Sequence, residues 1–280
     1  MILKTKYFPE KEFASKQELF ADFRKNYQDF ISFKKGDIQK GYEKGADVTC
    51  KLINPGRLHE ANKAVPTDDS NYYIVVNSTG ILDSHEDLHV KGIWNKSVKE
   101  QQGQNYLTVD HQLTIEGIAV RKEYVQMMVA TVPFSMLGKS YAGDTEALIY
   151  VVPKDKFIHA KAKEWLESGD EIQASVRMLY VTVLFGMDSN DPADAELKKN
   201  YDTYIGQVAN KDEFEYVPYF FVIKEAKNVK ESAQVVYGSN HVTGNVFNMK
   251  PEEKSTSQEN KSEPAESSST TKSNYYTLIH

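Results

Sequence analysis

From Tyr72 onward the sequence is punctuated by short runs dense in β-branched and aromatic side chains, and this pattern restricts the fold more than any other feature. Tyr72-Tyr73-Ile74-Val75-Val76 is the first run, closed by the turn sequence Asn77-Ser78-Thr79-Gly80. Comparable runs occupy 106–109, 125–132, 148–152, 172–185, 216–223 and 233–237. Side chains branched at Cβ, and flat aromatic ones, pack well on a pleated surface, so each run reads as a strand. Two helical patterns interrupt them. Lys154 to Ser168 carries Phe157, Ile158, Ala162, Trp165 and Leu166 and meets Gly169, a residue suited to a left-handed helix cap. Glu196 to Tyr204 is a second candidate helix.

The flanks have a different texture. Ser15-Lys16-Gln17-Glu18 has the form of a capping box, and Phe20, Phe23, Tyr27 and Phe30 follow at helical spacing before Gly36. This aromatic stripe predicts a helical arm that packs onto its own domain. At the other end, residues from Pro251 to Asn274 are almost entirely Ser, Thr, Glu, Lys, Gln, Asn and Pro, with too little apolar surface to offset the entropy of ordering. A disordered tail is expected there, ending in the small apolar segment Tyr275-Tyr276-Thr277-Leu278-Ile279. The expected organisation is a helical arm over 1–70, a β-rich domain over 71–245 and a flexible tail over 246–280.

Composition removes several functional classes. With 280 residues the chain can bury a sizeable core, and a formal net charge of −6 argues against a broad basic face for nucleic acid. A single cysteine, Cys50, allows no internal disulfide, which fits a reducing cytoplasm. The start, MILKTKYFPEKEF, is charged early and lacks the apolar run of a secretory signal. The longest mostly apolar stretch, Leu179 to Phe185, falls far short of the roughly 20 residues that a membrane helix needs.

One motif invites a metal reading. His85-Glu86-x-x-His89 matches HExxH, with Gly92 following and Asn95 where a third histidine would stand. Zinc hydrolysis with this motif requires both histidines on one face of a long helix, with Glu86 turned to a zinc-bound water. Gly80 and Gly92 bracket the motif closely and its flanks read as strand and loop, so the sequence predicts no such helix.

The same segment fits a second pattern. Asp83-x-x-x-Asp87-Leu88-His89-Val90-Lys91-Gly92-Ile93-Trp94-Asn95-Lys96-Ser97-Val98 resembles the acidic turn, strand and Gly-aromatic segment opening the prohead (capsid-maturation) serine protease domain of tailed phages. Leu107-Thr108-Val109-Asp110-His111-Gln112, followed by Ile115-Glu116-Gly117-Ile118-Ala119, resembles the family's histidine strand and the strand after it. Trp165 to Met178, containing Gly169-Asp170-Glu171-Ile172-Gln173-Ala174-Ser175-Val176-Arg177, is similar to the helix, turn and strand that present the family's serine. Val229-Lys230-Glu231-Ser232-Ala233-Gln234-Val235, running on to Asn240, resembles the closing strand. The four blocks stand in family order between Asn71 and Asn240.

The resemblance implies an α+β domain built on a mostly antiparallel, barrel-like sheet with packed helices, as in the distantly related herpesvirus assemblins. It implies a serine endopeptidase with His111 as general base, Ser175 as nucleophile and Glu231 orienting the imidazole. Asp110 is a weaker orienting candidate and His89 a further one, since assemblins use a second histidine. Val176 and Arg177 would support the transition state. Family members usually have a large apolar residue before the serine and a glycine two residues after it, where this chain has Ala174 and Arg177. Implied substrates are scaffold and major capsid protein inside an assembling procapsid in the host cytoplasm, with portal contact and self-association as further partnerships. No metal or organic cofactor, nucleic acid or membrane is implied. The rival expectation is a non-catalytic capsid-assembly protein that keeps the protease fold; the HExxH zinc hydrolase is the third.

Overall fold

The computed structural model describes residues 3–36, 69–169 and 172–246. The expected disordered tail, Cys50 and most of the chain between the arm and the β-rich domain lie outside the described residues. Helix α1, Lys16–Gly36, begins where the capping box predicts: Ser15 Oγ accepts the Glu18 N–H at 3.3 Å, while the Glu18 carboxylate accepts the Ala14 N–H at 2.9 Å. Its aromatic stripe faces inward. Phe20 and Phe23 are buried, and Phe23 lies 4.3 Å from the Tyr219 ring and 5.2 Å from Phe185, with Tyr27 stacked on Phe185. Burying each such ring contributes on the order of 2 kcal/mol. The arm therefore belongs to the same hydrophobic core as the strands and is no detached appendage.

Among the described residues nine strands form two sheets: β1 Asn71–Ser78, β2 Asp87–His89, β3 Tyr106–Val109, β4 Ile118–Val120, β5 Gln126–Pro133, β6 Asp144–Pro153, β7 Gln173–Met187, β8 Tyr219–Val235 and β9 Gly244–Val246. The first sheet has the order β5-β6-β1-β9 and is antiparallel throughout. In the second, β7 runs antiparallel along one edge of β8, and β4 runs antiparallel to β3. The other edge of β8 takes two short strands in parallel: β2 beside Phe221–Ile223 and β3 beside Glu231–Gln234. The α+β class and the mostly antiparallel pairing hold, but the expected barrel does not. The described strands form two packed sheets with no closed barrel between them.

Packing on both faces explains the unbroken apolar runs. Alternate residues of β1 divide between two cores: Tyr72, Ile74 and Val76 meet Val176, Met178 and Tyr180 of β7, whereas Tyr73 and Val75 meet Ile81, Val132 and Phe134. The front half of β8 divides in the same way, with Tyr219, Phe221 and Ile223 in one core and Phe220 and Val222 in another. The runs at 216–223 and 233–237 belong to a single 17-residue strand, whose polar middle around Lys227 to Lys230 conceals the continuity.

Four short or medium helices complete the described residues: α1, α2 Asn95–Glu100, α3 Ala160–Ser168 and α4 Ala195–Tyr204. Helix α3 ends at Gly169, which is left-handed at φ 83°, as expected. It starts later than its apolar pattern predicts, because Lys154–Lys156 form a separate 3₁₀ turn and His159 Nδ1 accepts the Ala162 N–H as the cap.

Candidate active site

Strand β3 stops at Val109, and the chain then does something uncommon for non-glycine residues. Asp110 and His111 both adopt left-handed backbone angles, at φ 51° and 55°. Each costs on the order of 1 kcal/mol, so the surroundings must hold them. Asp110 N–H extends the pairing onto the Gln234 carbonyl at 2.9 Å, and Gln112 N–H returns to Val109 at 3.0 Å. Val109 N–H meets the Gly117 carbonyl at 2.8 Å, and a Cβ at Gly117 would stand only 2.2 Å from the Gln112 carbonyl oxygen. Only glycine fits there, and the tight turn it permits folds the His111 ring back over β8.

The ring meets Glu231. His111 Nδ1 lies 2.9 Å from Glu231 Oε1. An ionised carboxylate can only accept, so Nδ1 carries the proton and the lone pair of a neutral ring falls on Nε2. Among the described residues, His111 Nε2 is buried and has no hydrogen-bond partner. Glu231 itself is fully buried, and its other oxygen, Oε2, accepts the Thr108 hydroxyl at 2.8 Å, while Arg177 Nε stands 3.7 Å from Oε1. These contacts offset the desolvation of a buried charge. The backbone that aims Glu231 is itself irregular. Lys230 is left-handed at φ 69°, and the β7–β8 register shifts between Val176 and Met178, opposite this point.

Ser175 occupies the neighbouring strand. It pairs with Ala233, which pairs on its other side with Thr108, so Ser175, Ala233 and Thr108 form one row on one face of the sheet. Ser175 and His111 line a common cleft of about 410 Å³ with Asp110, Val235, Tyr237 and Gly238. The segment after β8 lies close to β7 because of Gly238: a Cβ there would be 2.9 Å from the Ala174 carbonyl, and its N–H meets Gln173 Oε1 at 2.7 Å. Among the described residues no hydrogen bond joins Ser175 to His111, although both line the same cleft. Free enzymes commonly hold such pairs looser than the substrate complex does.

The sequence-predicted residues thus converge with one exception. His111, Ser175, Glu231 and Arg177 come together, and Asp110 points to solvent at the cleft mouth. Val176 sits on β7 beside them. Ala174 uses its amide and carbonyl on Thr243 Oγ1, at 3.2 and 2.8 Å, so by the alternation of the ladder Val176 N–H is directed to that same outer edge, away from β8. The exception is His89, which pairs with Ile223 eight residues before Glu231 along β8, on the order of 25 Å away. Thr108 was missed by sequence reasoning; its one available signal was that strand alternation places it on the face of the residue paired with Ser175. Exposed Val236 and Tyr237 at the cleft rim were missed too, because nothing in the sequence ties them to His111.

The HExxH segment forms no zinc site of the expected kind. Glu86 sits in a turn at φ 60° and His89 in β2, so the two histidines never share a helix face. His89 is also committed elsewhere. Trp94 Nε1–H donates to Asn77 Oδ1 at 2.8 Å, and the Asn77 amide then meets His89 Nδ1 at 3.0 Å. His89 Nε2 meets the Tyr180 hydroxyl at 3.3 Å, and Tyr180 donates to Asp87 Oδ2 at 2.7 Å. Asp83, Asp87 and His89 do offer three ligand-type atoms within 4.8 Å of one another. The Lys34 ammonium already stands 2.7 Å from Asp87 Oδ1, supplying the positive charge a cation would bring.

No described helix is long and apolar enough to cross a membrane. Compared with protein-family models, curated proteins and solved structures, the chain finds no match.

Proposed function

We propose that the chain is a serine endopeptidase in which Ser175 is the nucleophile, His111 the general base and Glu231 the orienting acid. The observation that carries this reading is the imidazole of His111, fixed through Nδ1 by a buried carboxylate and with Nε2 unpaired, in a residue that lines the same cleft as Ser175. That division of labour is what proton transfer from a serine hydroxyl requires.

In this reading Ser175 Oγ attacks the carbonyl carbon of the scissile peptide and its proton passes to His111 Nε2. The new C–O bond moves the carbonyl electrons onto oxygen, for which the Val176 amide and the Arg177 guanidinium are the candidate donors. Arg177 also lies beside Glu231, so its second role is to balance that acid's charge. Collapse breaks the C–N bond, and the imidazolium returns its proton to the departing amine. Water then attacks the seryl ester by the same base and restores free Ser175.

Resemblance of the four sequence blocks to prohead proteases supports scaffold and major capsid protein as substrates, cleaved inside an assembling procapsid, with portal contact and self-association as accompanying partnerships. Confinement in a shell would limit cleavage to co-enclosed chains. The missing hydrogen bond between Ser175 and His111 favours a second reading, a non-catalytic assembly protein with the same architecture. Co-expression with the capsid gene, followed by intact mass of the assembled shell, separates the two. Wild type yields shortened chains and Ser175→Ala yields full-length ones under the enzyme reading, a loss of at least about 10³-fold in cleavage rate. Identical masses from both, with shells still formed, support the assembly role.

A further inference from the structure

We propose that Thr108 is a positioning residue of this site, and that its hydroxyl holds the Glu231 carboxylate in the orientation that faces the imidazole; the inference rests on the peptidase reading. A carboxylate on a flexible glutamate side chain can turn an oxygen toward a histidine or away from it. Here the choice is made by the strand on the far side. Thr108 Oγ1 donates to Oε2 at 2.8 Å, leaving Oε1 for His111 Nδ1 at 2.9 Å. The alternative acceptor for the Thr108 hydroxyl, the Ser232 carbonyl, is at 3.4 Å, so the single proton goes to the carboxylate. Thr108 and Glu231 are both fully buried, and water cannot substitute for a lost donor without opening the sheet.

The geometry also explains why a β-branched hydroxyl residue occupies this position. Thr108 lies in β3 one row from Glu231, since Tyr106 pairs with Glu231 and Thr108 with Ala233. A threonine on a strand has few side-chain rotamers, so its oxygen is held at a fixed place relative to β8. Serine keeps the donor with more rotational freedom, and valine keeps the shape without the donor.

The test uses the full chain with Thr108→Val and Thr108→Ser, each checked for an unchanged melting profile. A fluorophosphonate probe reports the reactivity of Ser175, and one-dimensional proton NMR reports the downfield Nδ1–H resonance of His111. Thr108→Val is expected to slow probe labelling about tenfold and to lose or broaden the resonance, and Thr108→Ser to restore both to within about threefold of wild type. A Thr108→Val protein that keeps a sharp resonance and the wild-type labelling rate overturns the proposal, as does a wild type without the resonance. Failure of the probe to label wild-type Ser175 overturns the peptidase reading instead, and the resonance in wild type against Thr108→Val still decides the role of Thr108. Should Thr108→Val unfold, loss of the resonance in folded Thr108→Ser marks a packing role and overturns the proposal, whereas its retention supports it.

Discussion

A histidine, a buried carboxylate and a tyrosine or threonine hydroxyl gather around each half of β8, yet the two clusters are satisfied differently. Beside the front half, both ring nitrogens of His89 are engaged, Asp87 is capped by Lys34 and Tyr180, and α1 closes the whole assembly under an aromatic cluster. Beside the rear half, His111 is held by one nitrogen only, the other is buried without a hydrogen-bond partner, and the residue lines a cleft. The residue types are nearly the same. What differs is whether the histidine itself keeps a ring nitrogen without a partner once packing is complete, and under the peptidase reading that difference separates an internal strut from a general base.

That comparison can be broken at its strongest point by Glu231→Gln. The amide keeps the shape but cannot enforce the same tautomer, so kcat should fall about 10³-fold with KM little changed. Steady-state kinetics on the purified chain check this, and a fall of less than tenfold would remove Glu231 from the site. The matching change in the front half is Asp87→Asn. It removes the carboxylate that stands 2.7 Å from the buried Lys34 ammonium and should cost about 4 kcal/mol of stability, read from urea unfolding, with unaltered activity per folded molecule.

The smallest effect concerns pH. Burial pushes the Glu86 carboxyl up to about 7, against the pull of Lys6 and Lys34. Between its unfolded value near 4.5 and about 7, the native state therefore binds more protons than the unfolded chain, and stability falls as pH rises through that window, by about 3 kcal/mol at most. Glu86→Gln should abolish this slope and raise the urea midpoint at pH 8 more than at pH 5. His241, which burial holds down to about 4, contributes the opposite slope over an overlapping range. The informative quantity is therefore the wild-type minus variant difference, and an equal difference at both pH values would mean that Glu86 is ionised in the native state throughout.

Local chemistry was enough to define most elements of this protein. The capping box and aromatic stripe announce α1, Gly169 ends α3, and β-branched runs mark β1, β3, β5, β6 and β7, because each rests on propensities that act within a few residues. The order of the blocks bearing His111, Ser175 and Glu231 was legible as a resemblance. Their convergence was not, since it depends on two consecutive left-handed residues after β3, a kink at Lys230 and a register shift opposite it. No pattern in sequence encodes those three irregularities, which exist only because neighbouring strands stabilise them. For HExxH the bracketing glycines already argue against a long helix, and the parallel pairing with β8 then fixes His89 in a strand. Apolar periodicity decides what is buried; which polar atom remains unpaired is decided by packing between segments more than a hundred residues apart in sequence, as with His111 and Glu231.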